Sequence, residues 1–349
     1  MSKYHKIVSI PGGGVRGVIS AIYLKRLVDK NYINLDDLYC ISGTSTGVII
    51  ASLLCKPNPY SINDVVELYK ELAEKVFKRP YEWVPSWVSK VYYGASYDIK
   101  KLNEIAVHYL GDARLGDCPR KMVATVYSTD EQLGAYRAAS PIFLSNFKTP
   151  FNQSDLDFKL SDIVTGACAA PTFMYPWQFH ANGHWHKWVD GGLLDNASCI
   201  GAVSVAKHQY NQDRIKIDDI AMLCLENGGH LYRDPADRPP SKWRVPRMGR
   251  LILKSLTQGG QTMSLKHMRF ILGSRFYDLN YTTPKDCELD DYKALPRLVE
   301  FAEAQKLRAV KAWLRGYFGS TEKRIAGATA NPSKSSQKHR PRDINHHLS

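Results

Sequence analysis

Two units of strand, glycine turn and helix follow one another in the first 55 residues of the chain. Ile7 to Ile10 predicts a short buried strand, a glycine-rich turn comes after it, and Val18 to Asp29 carries apolar residues at helical spacing. Leu38 to Ser42 predicts a second strand, and a second glycine turn separates it from the apolar helix Val48 to Leu54. This repetition predicts an α/β fold with three layers, α/β/α, around a mostly parallel central sheet.

The rest of the chain predicts more elements of both kinds, followed by a tail. A helix is predicted over "SINDVVELYKELAEKVF" with Ser61 as N-cap, followed by an irregular lid or loop from Tyr81 to Tyr97 and a strand from Lys121 to Ser128. A second helix is predicted over "LSDIVTGACAAPTFMYP", capped by Ser161 or Asp162 and ending before Pro171. A hairpin at Asn182-Gly183, a strand from Asp218 to Asn227 and a basic amphipathic helix from Leu295 to Phe318, with a break near Gln305 and Lys306, complete the prediction. We expect one domain over residues 1–320 and a disordered basic tail over 321–349, which is almost free of apolar residues.

Composition and charge restrict the class of protein. The 349 residues are 44% hydrophobic, enough for a large core, and the net charge of +13 favours contact with anionic surfaces. The seven cysteines form no C-x-x-C pair, which favours a reducing compartment. Pro11 and the glycines after it interrupt the first apolar run, so we expect no cleavable signal peptide, and no run is long enough for a transmembrane helix. The expected location is cytoplasmic or peripheral to a membrane, with signal-independent export left open.

The first glycine turn, "IPGGGVRG", has the spacing of a dinucleotide-binding loop. Its glycines at 12, 14 and 17 match G-x-G-x-x-G. In a nicotinamide or flavin oxidoreductase, however, the acidic residue that binds the ribose follows the second strand. Asp36 and Asp37 precede that strand and would lie at the opposite edge of the sheet. The loop is therefore not predicted to bind a pyrophosphate.

The second glycine turn, "GTSTG", follows the second strand and is a G-x-S-x-G motif. Gly43 and Gly47 remove side chains that would obstruct a sharp turn, so that Ser45 projects its hydroxyl at a helix N-terminus. The helix dipole favours negative charge at that point. A serine nucleophile also needs N–H donors for the oxyanion, and the first glycine loop supplies exposed backbone amides beside it.

A serine nucleophile also needs a base, and the chain offers two kinds. Asp190 stands at the end of a predicted strand and is followed by Gly191 and Gly192. Histidine is the usual alternative, and the candidates are His180, His184, His186, His208, His230 and His267. Sequence spacing does not choose between them.

"PGGGVRG", "GTSTG" and "VDGG", in this order, resemble the motifs of the patatin-like phospholipase family. That family has a G-G-G-x-R-G loop, a G-x-S-x-G elbow and a D-G-[AG] turn, and the likeness covers roughly residues 5–230. The resemblance implies a Ser45-Asp190 dyad without a catalytic histidine. It also implies an oxyanion hole at Gly12, Gly13 and Gly14, with Arg16 and Gly17 completing the loop. Two positions depart from the family pattern: Pro11 stands where many members have Asp, and Ala197 where many have Pro.

The family's reaction is hydrolysis of acyl esters in phospholipids and related lipids, without a cofactor or metal. The expected partners are an acyl-lipid substrate and, because the surface is basic, an anionic membrane surface. Whether an activator opens the site is left open, and no nucleic acid is expected. Three alternatives stay open: a nicotinamide or flavin oxidoreductase, a serine esterase that acts on small soluble esters through a histidine base, and a basic nucleic-acid-binding protein without catalysis. Arg16 is interpreted equally as a structural ion pair or as a charge near the oxyanion. His180, His184 and His186 are spaced as zinc ligands can be, although surface positions on a hairpin are the commoner arrangement.

Overall fold

The structure is a computed structural model, and it describes residues 4–77, 97–133, 136–147, 153–208, 215–228, 245–283 and 287–319. The strands of these ranges are β1 (His5–Ile10), β2 (Cys40–Thr44), β3 (Met122–Leu133), β4 (Tyr136–Ser145), β5 (Trp177–Ala181), β6 (His184–Asp190), β7 (Ile220–Leu225) and β8 (Phe276–Leu279). The α-helices are α1 (Gly17–Val28), α2 (Thr46–Cys55), α3 (Ile62–Phe77), α4 (Ile99–Leu110), α5 (Leu160–Ala167), α6 (Cys199–His208), α7 (Val245–Leu272), α8 (Leu295–Ala304) and α9 (Arg308–Tyr317).

The strands form one mixed sheet whose centre is parallel. The order is β5-β6-β3-β2-β1-β7-β8, and β4 also pairs with β3. The pairings among β3, β2, β1, β7 and β8 are parallel, whereas β4, β5 and β6 join by antiparallel pairing. The prediction of a mostly parallel central sheet is confirmed.

Helices cover both faces of this sheet, because neighbouring strand residues point to opposite sides. Val8 belongs to one buried cluster together with residues of α1, α2, α3 and α8, whereas Ile7 belongs to a second cluster with residues of α6 and α7. The three-layer arrangement is therefore confirmed.

The end of β2 meets the end of β6 along one edge of β3. Thr44 of β2 pairs with Thr125, and Asp190 of β6 pairs with the next residue, Val126. Because β4 occupies the other edge of β3 along its length, β2 and β6 share this edge. They run in opposite directions, so their carboxyl ends point at each other. Ser45, the residue after β2, is thereby brought towards Asp190.

Most of the predicted elements are confirmed, with some different limits. Ser61 caps α3 in a mutual arrangement, because the Asp64 N–H donates to the Ser61 hydroxyl at 3.2 Å and the Ser61 N–H donates to the Asp64 carboxylate at 3.3 Å. The strand predicted from Lys121 to Ser128 continues to Leu133, because it pairs with β4 in a hairpin. The basic helix is two helices, α8 and α9, that separate at Gln305 as predicted.

Other predictions need correction or lie beyond what the structure describes. The cap of α5 is Lys159, not Ser161 or Asp162, because the first turn begins at Leu160. Apart from Tyr97, the predicted loop from Tyr81 to Tyr97 lies outside the described residues, as does the tail over 321–349. All seven cysteines are free thiols. Within the described ranges, no helix combines the length and apolar content that crossing a bilayer requires.

Candidate active site

Ser45 lies in a strained turn between β2 and α2. Its backbone φ is 52° and its ψ is −127°, a conformation that non-glycine residues rarely adopt. A Cβ on Gly43 would lie 2.5 Å from the Gly47 carbonyl group, and a Cβ on Gly47 would overlap the Ile10 carbonyl oxygen. Both glycines predicted for the elbow are therefore required by close backbone approach. The turn presents Ser45 at the N-terminus of α2 with 9% of its surface exposed.

Gly47→Ala is expected to destabilise the fold by about 2 kcal/mol or more, because the new methyl group overlaps backbone atoms of Ile10 that cannot move away freely. Urea unfolding monitored by circular dichroism measures the change. Gly259→Ala is the matched control, since Gly259 lies in α7 with open space around its Cβ position. The control is expected to raise stability by about 0.5–1 kcal/mol. Equal effects of the two substitutions would contradict the packing argument.

Asp190 ends β6 in a turn that depends on the two glycines after it. The Gly192 N–H donates to the Asp190 carboxylate at 2.7 Å, and the Asp190 N–H donates to the Ala169 carbonyl at 3.1 Å. A Cβ on Gly191 would overlap the Thr125 carbonyl, and one on Gly192 would lie 3.0 Å from the Asp190 carboxylate. The turn thus holds the carboxylate in one orientation.

The side chains of Ser45 and Asp190 are brought together. The Ser45 hydroxyl lies within hydrogen-bonding reach of the Asp190 carboxylate. Burial raises the pKa of Asp190 to about 6, although hydrogen bonding by Ser45 and by the Gly192 amide acts in the opposite direction. Asp190 is 7% exposed. The result is a carboxylate that is ionised at neutral pH and more basic than an ordinary aspartate.

The glycine loop lies against Ser45, and its three amides differ in availability. A Cβ on Gly12 would lie 2.7 Å from the Ser45 Cβ, so only glycine permits this contact. The Gly12 N–H already donates to the Asn196 carbonyl at 3.1 Å, and the Gly13 N–H donates over 3.3 Å to the Thr46 hydroxyl. The Gly14 N–H has no hydrogen-bond partner within the described ranges. Of the three amides, that of Gly14 is unpaired in the described part of the chain, and that of Gly13 makes a longer hydrogen bond than that of Gly12.

Three residues that sequence reasoning did not single out hold the glycine loop in place. The side-chain amide of Asn227 donates to the Gly12 carbonyl at 2.8 Å, and that of Asn196 donates to the same carbonyl at 3.2 Å. The buried Tyr69 hydroxyl donates to the Gly14 carbonyl. Asn227 follows β7 and Tyr69 lies in α3, so local sequence motifs carry no signal for these contacts.

The end of the loop, Arg16 and Gly17, packs against α3 and a later segment. A Cβ on Gly17 would overlap the Tyr69 hydroxyl, so the first position of α1 must be glycine. Burial lowers the pKa of Arg16, while Cys287 and Glu288 act in the opposite direction. The Arg16 Nε is buried without a hydrogen-bond partner in the described part of the chain. The two interpretations of Arg16 remain predictions.

The candidate histidines lie mostly at the surface. His180, His184, His208 and His267 are exposed, and His186 packs on Phe158, Phe179 and Trp188 in the β5-β6 hairpin. His230 lies outside the described residues. Among the described residues, hydrogen bonding by Ser45 and by Gly192 affects the Asp190 pKa, and neither of these is a histidine. No group of three metal-ligating side chains occurs within the described ranges, so the three hairpin histidines do not form a zinc site there.

The sequence of this chain is similar to those of known proteins. The sequence model of patatin-like phospholipases matches residues 8–203. Patatin-like protein 4 of Arabidopsis thaliana is 29% identical over 220 residues, which is 58% of this chain and 52% of that protein. Patatin-07 of Solanum tuberosum is 28% identical over 302 residues, covering 78% of this chain and 73% of its own. The crystal structure of VipD from Legionella pneumophila aligns with a TM-score of 0.38 at 14% identity, covering 86% of this chain and 67% of that chain. The chain spans about half the length of the first of these relatives.

Proposed function

The chain belongs to the patatin-like phospholipase family, and we propose that it is a lipid acyl hydrolase of the phospholipase A type that uses Ser45 and Asp190. The observation that supports this most directly is the convergence of three groups at one edge of the sheet. A strained serine, a buried carboxylate with a raised pKa and the glycine-loop amides all lie there. The substrate class, an acyl ester of a membrane phospholipid, comes from family membership.

In the first half of the proposed reaction, the Ser45 oxygen attacks the carbonyl carbon of the ester while Asp190 accepts the hydroxyl proton. The carbonyl oxygen becomes an oxyanion, which accepts hydrogen bonds from the Gly13 and Gly14 amides. The positive end of the α2 dipole favours the same charge. Collapse of the intermediate breaks the bond to the lysolipid or alcohol, which leaves with the proton from Asp190.

In the second half, water attacks the acyl group on Ser45 and gives a proton to Asp190. The second tetrahedral intermediate uses the same amide donors. Its collapse breaks the bond between the acyl carbon and the Ser45 oxygen, the fatty acid leaves, and the proton returns to Ser45. One carboxylate thus acts as base and acid in both halves, without a histidine, metal or cofactor.

The rate is expected to fall about tenfold for each pH unit below 6, because Asp190 must be ionised to accept the proton and its pKa is about 6. Above pH 7 the rate is expected to be nearly constant until other groups titrate. Initial rates on a neutral ester substrate between pH 4.5 and 8 measure this profile. An activity that is unchanged between pH 5 and 7 would contradict Asp190 as the base.

The proposal is tested by fatty-acid release from mixed phospholipid vesicles together with labelling by a fluorophosphonate, which reacts with activated serines. We expect free fatty acid and a covalent label on Ser45, located by mass spectrometry of the digested protein. Hydrolysis of small soluble esters without any release from vesicles would favour the esterase alternative. Binding of nucleic acid with neither label nor hydrolysis would overturn the enzyme assignment.

A further inference from the structure

Helix α7 carries an exposed apolar stripe on the side that faces away from the core. Ser264, Met268 and Leu272 are buried, and they mark the inner side of the helix. The stripe consists of Ile252, Leu256, Met263 and Phe270, which are 55%, 48%, 52% and 86% exposed. At 100° per residue these four positions fall within about 40° of one another on the helix surface. A continuous stripe of this kind marks an interaction surface.

The charges of α7 identify the kind of partner. Residues 245–272 contain five Lys and Arg and no Asp or Glu, within a chain of net charge +13. Lys266 and His267 are exposed on either side of the stripe, between Met263 and Phe270. Apolar anchors beside an exposed lysine, on a chain with a strong positive net charge, match a bilayer surface with anionic headgroups, where the apolar side chains enter the acyl boundary and the lysine contacts phosphates. A second apolar protein surface would not need this excess of positive charge.

The same helix also contacts the candidate active site. A Cβ on Gly260 would overlap the Leu194 carbonyl, four residues after Asp190. The Asn196 side-chain amide donates to Gln261 at 2.9 Å and also donates to the Gly12 carbonyl. α7 is therefore joined to the aspartate turn and to the glycine loop. A bilayer on its outer side would lie about one helix diameter, roughly 10 Å, from these groups.

We infer that the apolar stripe of α7 is the surface through which this protein docks on anionic phospholipid bilayers. The inference rests on the proposed function, because docking on a bilayer serves an enzyme that hydrolyses lipids. The stripe from Ile252 to Phe270 extends for about 27 Å along the helix, so the helix would lie in the plane of the interface. Docking brings the candidate active site to the surface of the lipid bilayer.

The test measures flotation of the full chain with vesicles, using Ser45→Ala throughout so that no lipid is hydrolysed. Vesicles of phosphatidylcholine alone are compared with vesicles that also contain phosphatidylglycerol. The double variant Met263→Asp/Phe270→Asp is expected to bind the anionic vesicles at least about tenfold more weakly than the unaltered stripe does, because two apolar anchors are lost. Val107→Asp is the matched control, since Val107 is 45% exposed on α4, and its binding is expected to be unchanged. Lys266→Glu is expected to weaken binding and reduce its dependence on salt.

Activity measurements with Ser45 intact separate failure of this inference from failure of the proposed function. The double variant is expected to lose vesicle hydrolysis while cleaving a monomeric short-chain ester at the unaltered rate, which also shows that it folds. A wild-type protein that cleaves no ester would contradict the proposed function, and the flotation result would still decide the role of the stripe. Equal binding by the double variant would overturn the inference. The inference would also be overturned if the double substitution converted a dimer to a monomer, measured by light scattering, while vesicle binding stayed unchanged.

Discussion

Ser45→Ala is expected to reduce fatty-acid release by about four orders of magnitude or more, because the nucleophile that forms the acyl intermediate is removed. Alanine keeps the Cβ that packs against Gly12, so the elbow and the fold should persist. Release from phospholipid vesicles, measured with purified variants at equal concentration, gives the size of the effect. Circular dichroism and thermal melting check that the variant is folded. A variant that keeps even a tenth of the activity would exclude Ser45 as the nucleophile.

Ser45→Gly is the second variant of this position, and it separates the chemical role of the serine from the strain in its backbone. It should be as inactive as Ser45→Ala. Because Ser45 has a φ of 52°, a conformation that favours glycine, we expect Ser45→Gly to be more stable than Ser45→Ala by about 1 kcal/mol or more. Urea unfolding of the two variants measures the difference. A less stable glycine variant would argue against strain at the elbow.

Asp190→Asn is expected to lower activity by about 10²- to 10⁴-fold, because an amide cannot accept the Ser45 proton. Its side-chain oxygen can still accept the hydrogen bond that Gly192 donates, so the turn should be preserved. His180→Ala and His186→Ala are the controls, and each is expected to stay within a fewfold of the unaltered rate. Loss of activity in a histidine variant, with Asp190→Asn still active, would establish the histidine-dependent esterase instead.

Asp190→Asn is also expected to stabilise the fold above pH 6. The Asp190 pKa is raised from 3.8 to about 6 in the folded state, so at a pH between these two values the carboxyl group takes up a proton when the chain folds. The stability associated with the neutral carboxyl is complete below about pH 3.8 and is lost as the pH rises through 6. A shift of about two units corresponds to about 3 kcal/mol. Asp190→Asn removes this dependence, so its stability relative to the unaltered chain should increase between pH 4 and 7 in urea unfolding experiments.

The elements that the sequence predicted well are those whose signals are local. Glycine spacing predicted the loop that follows β1 and the elbow that contains Ser45, and apolar periodicity predicted α1 and the parallel strands β1 and β2. The strand β4 was not predicted, because its sequence becomes a strand only by pairing with β3. The long helix α7 was also missed. The glycine pair Gly259-Gly260 interrupts its sequence and disfavours a continuous helix, and the contacts of the helix with the aspartate turn depend on residues far away in the chain.

Two repeated units of strand, glycine turn and helix indicated the fold class from the sequence alone, and three short motifs indicated the residue types of the candidate site. Each motif depends on backbone conformation within a few residues, which local glycine positions control. Which of these groups meet depends on how the strands and helices pack together. Pairing of β2 and β6 along one edge of β3 brings Ser45 to Asp190, and Asn227 and Tyr69 reach the glycine loop from distant elements. The pKa of Asp190 was decided there too, because desolvation depends on everything packed around the carboxyl group and not on its neighbours in sequence.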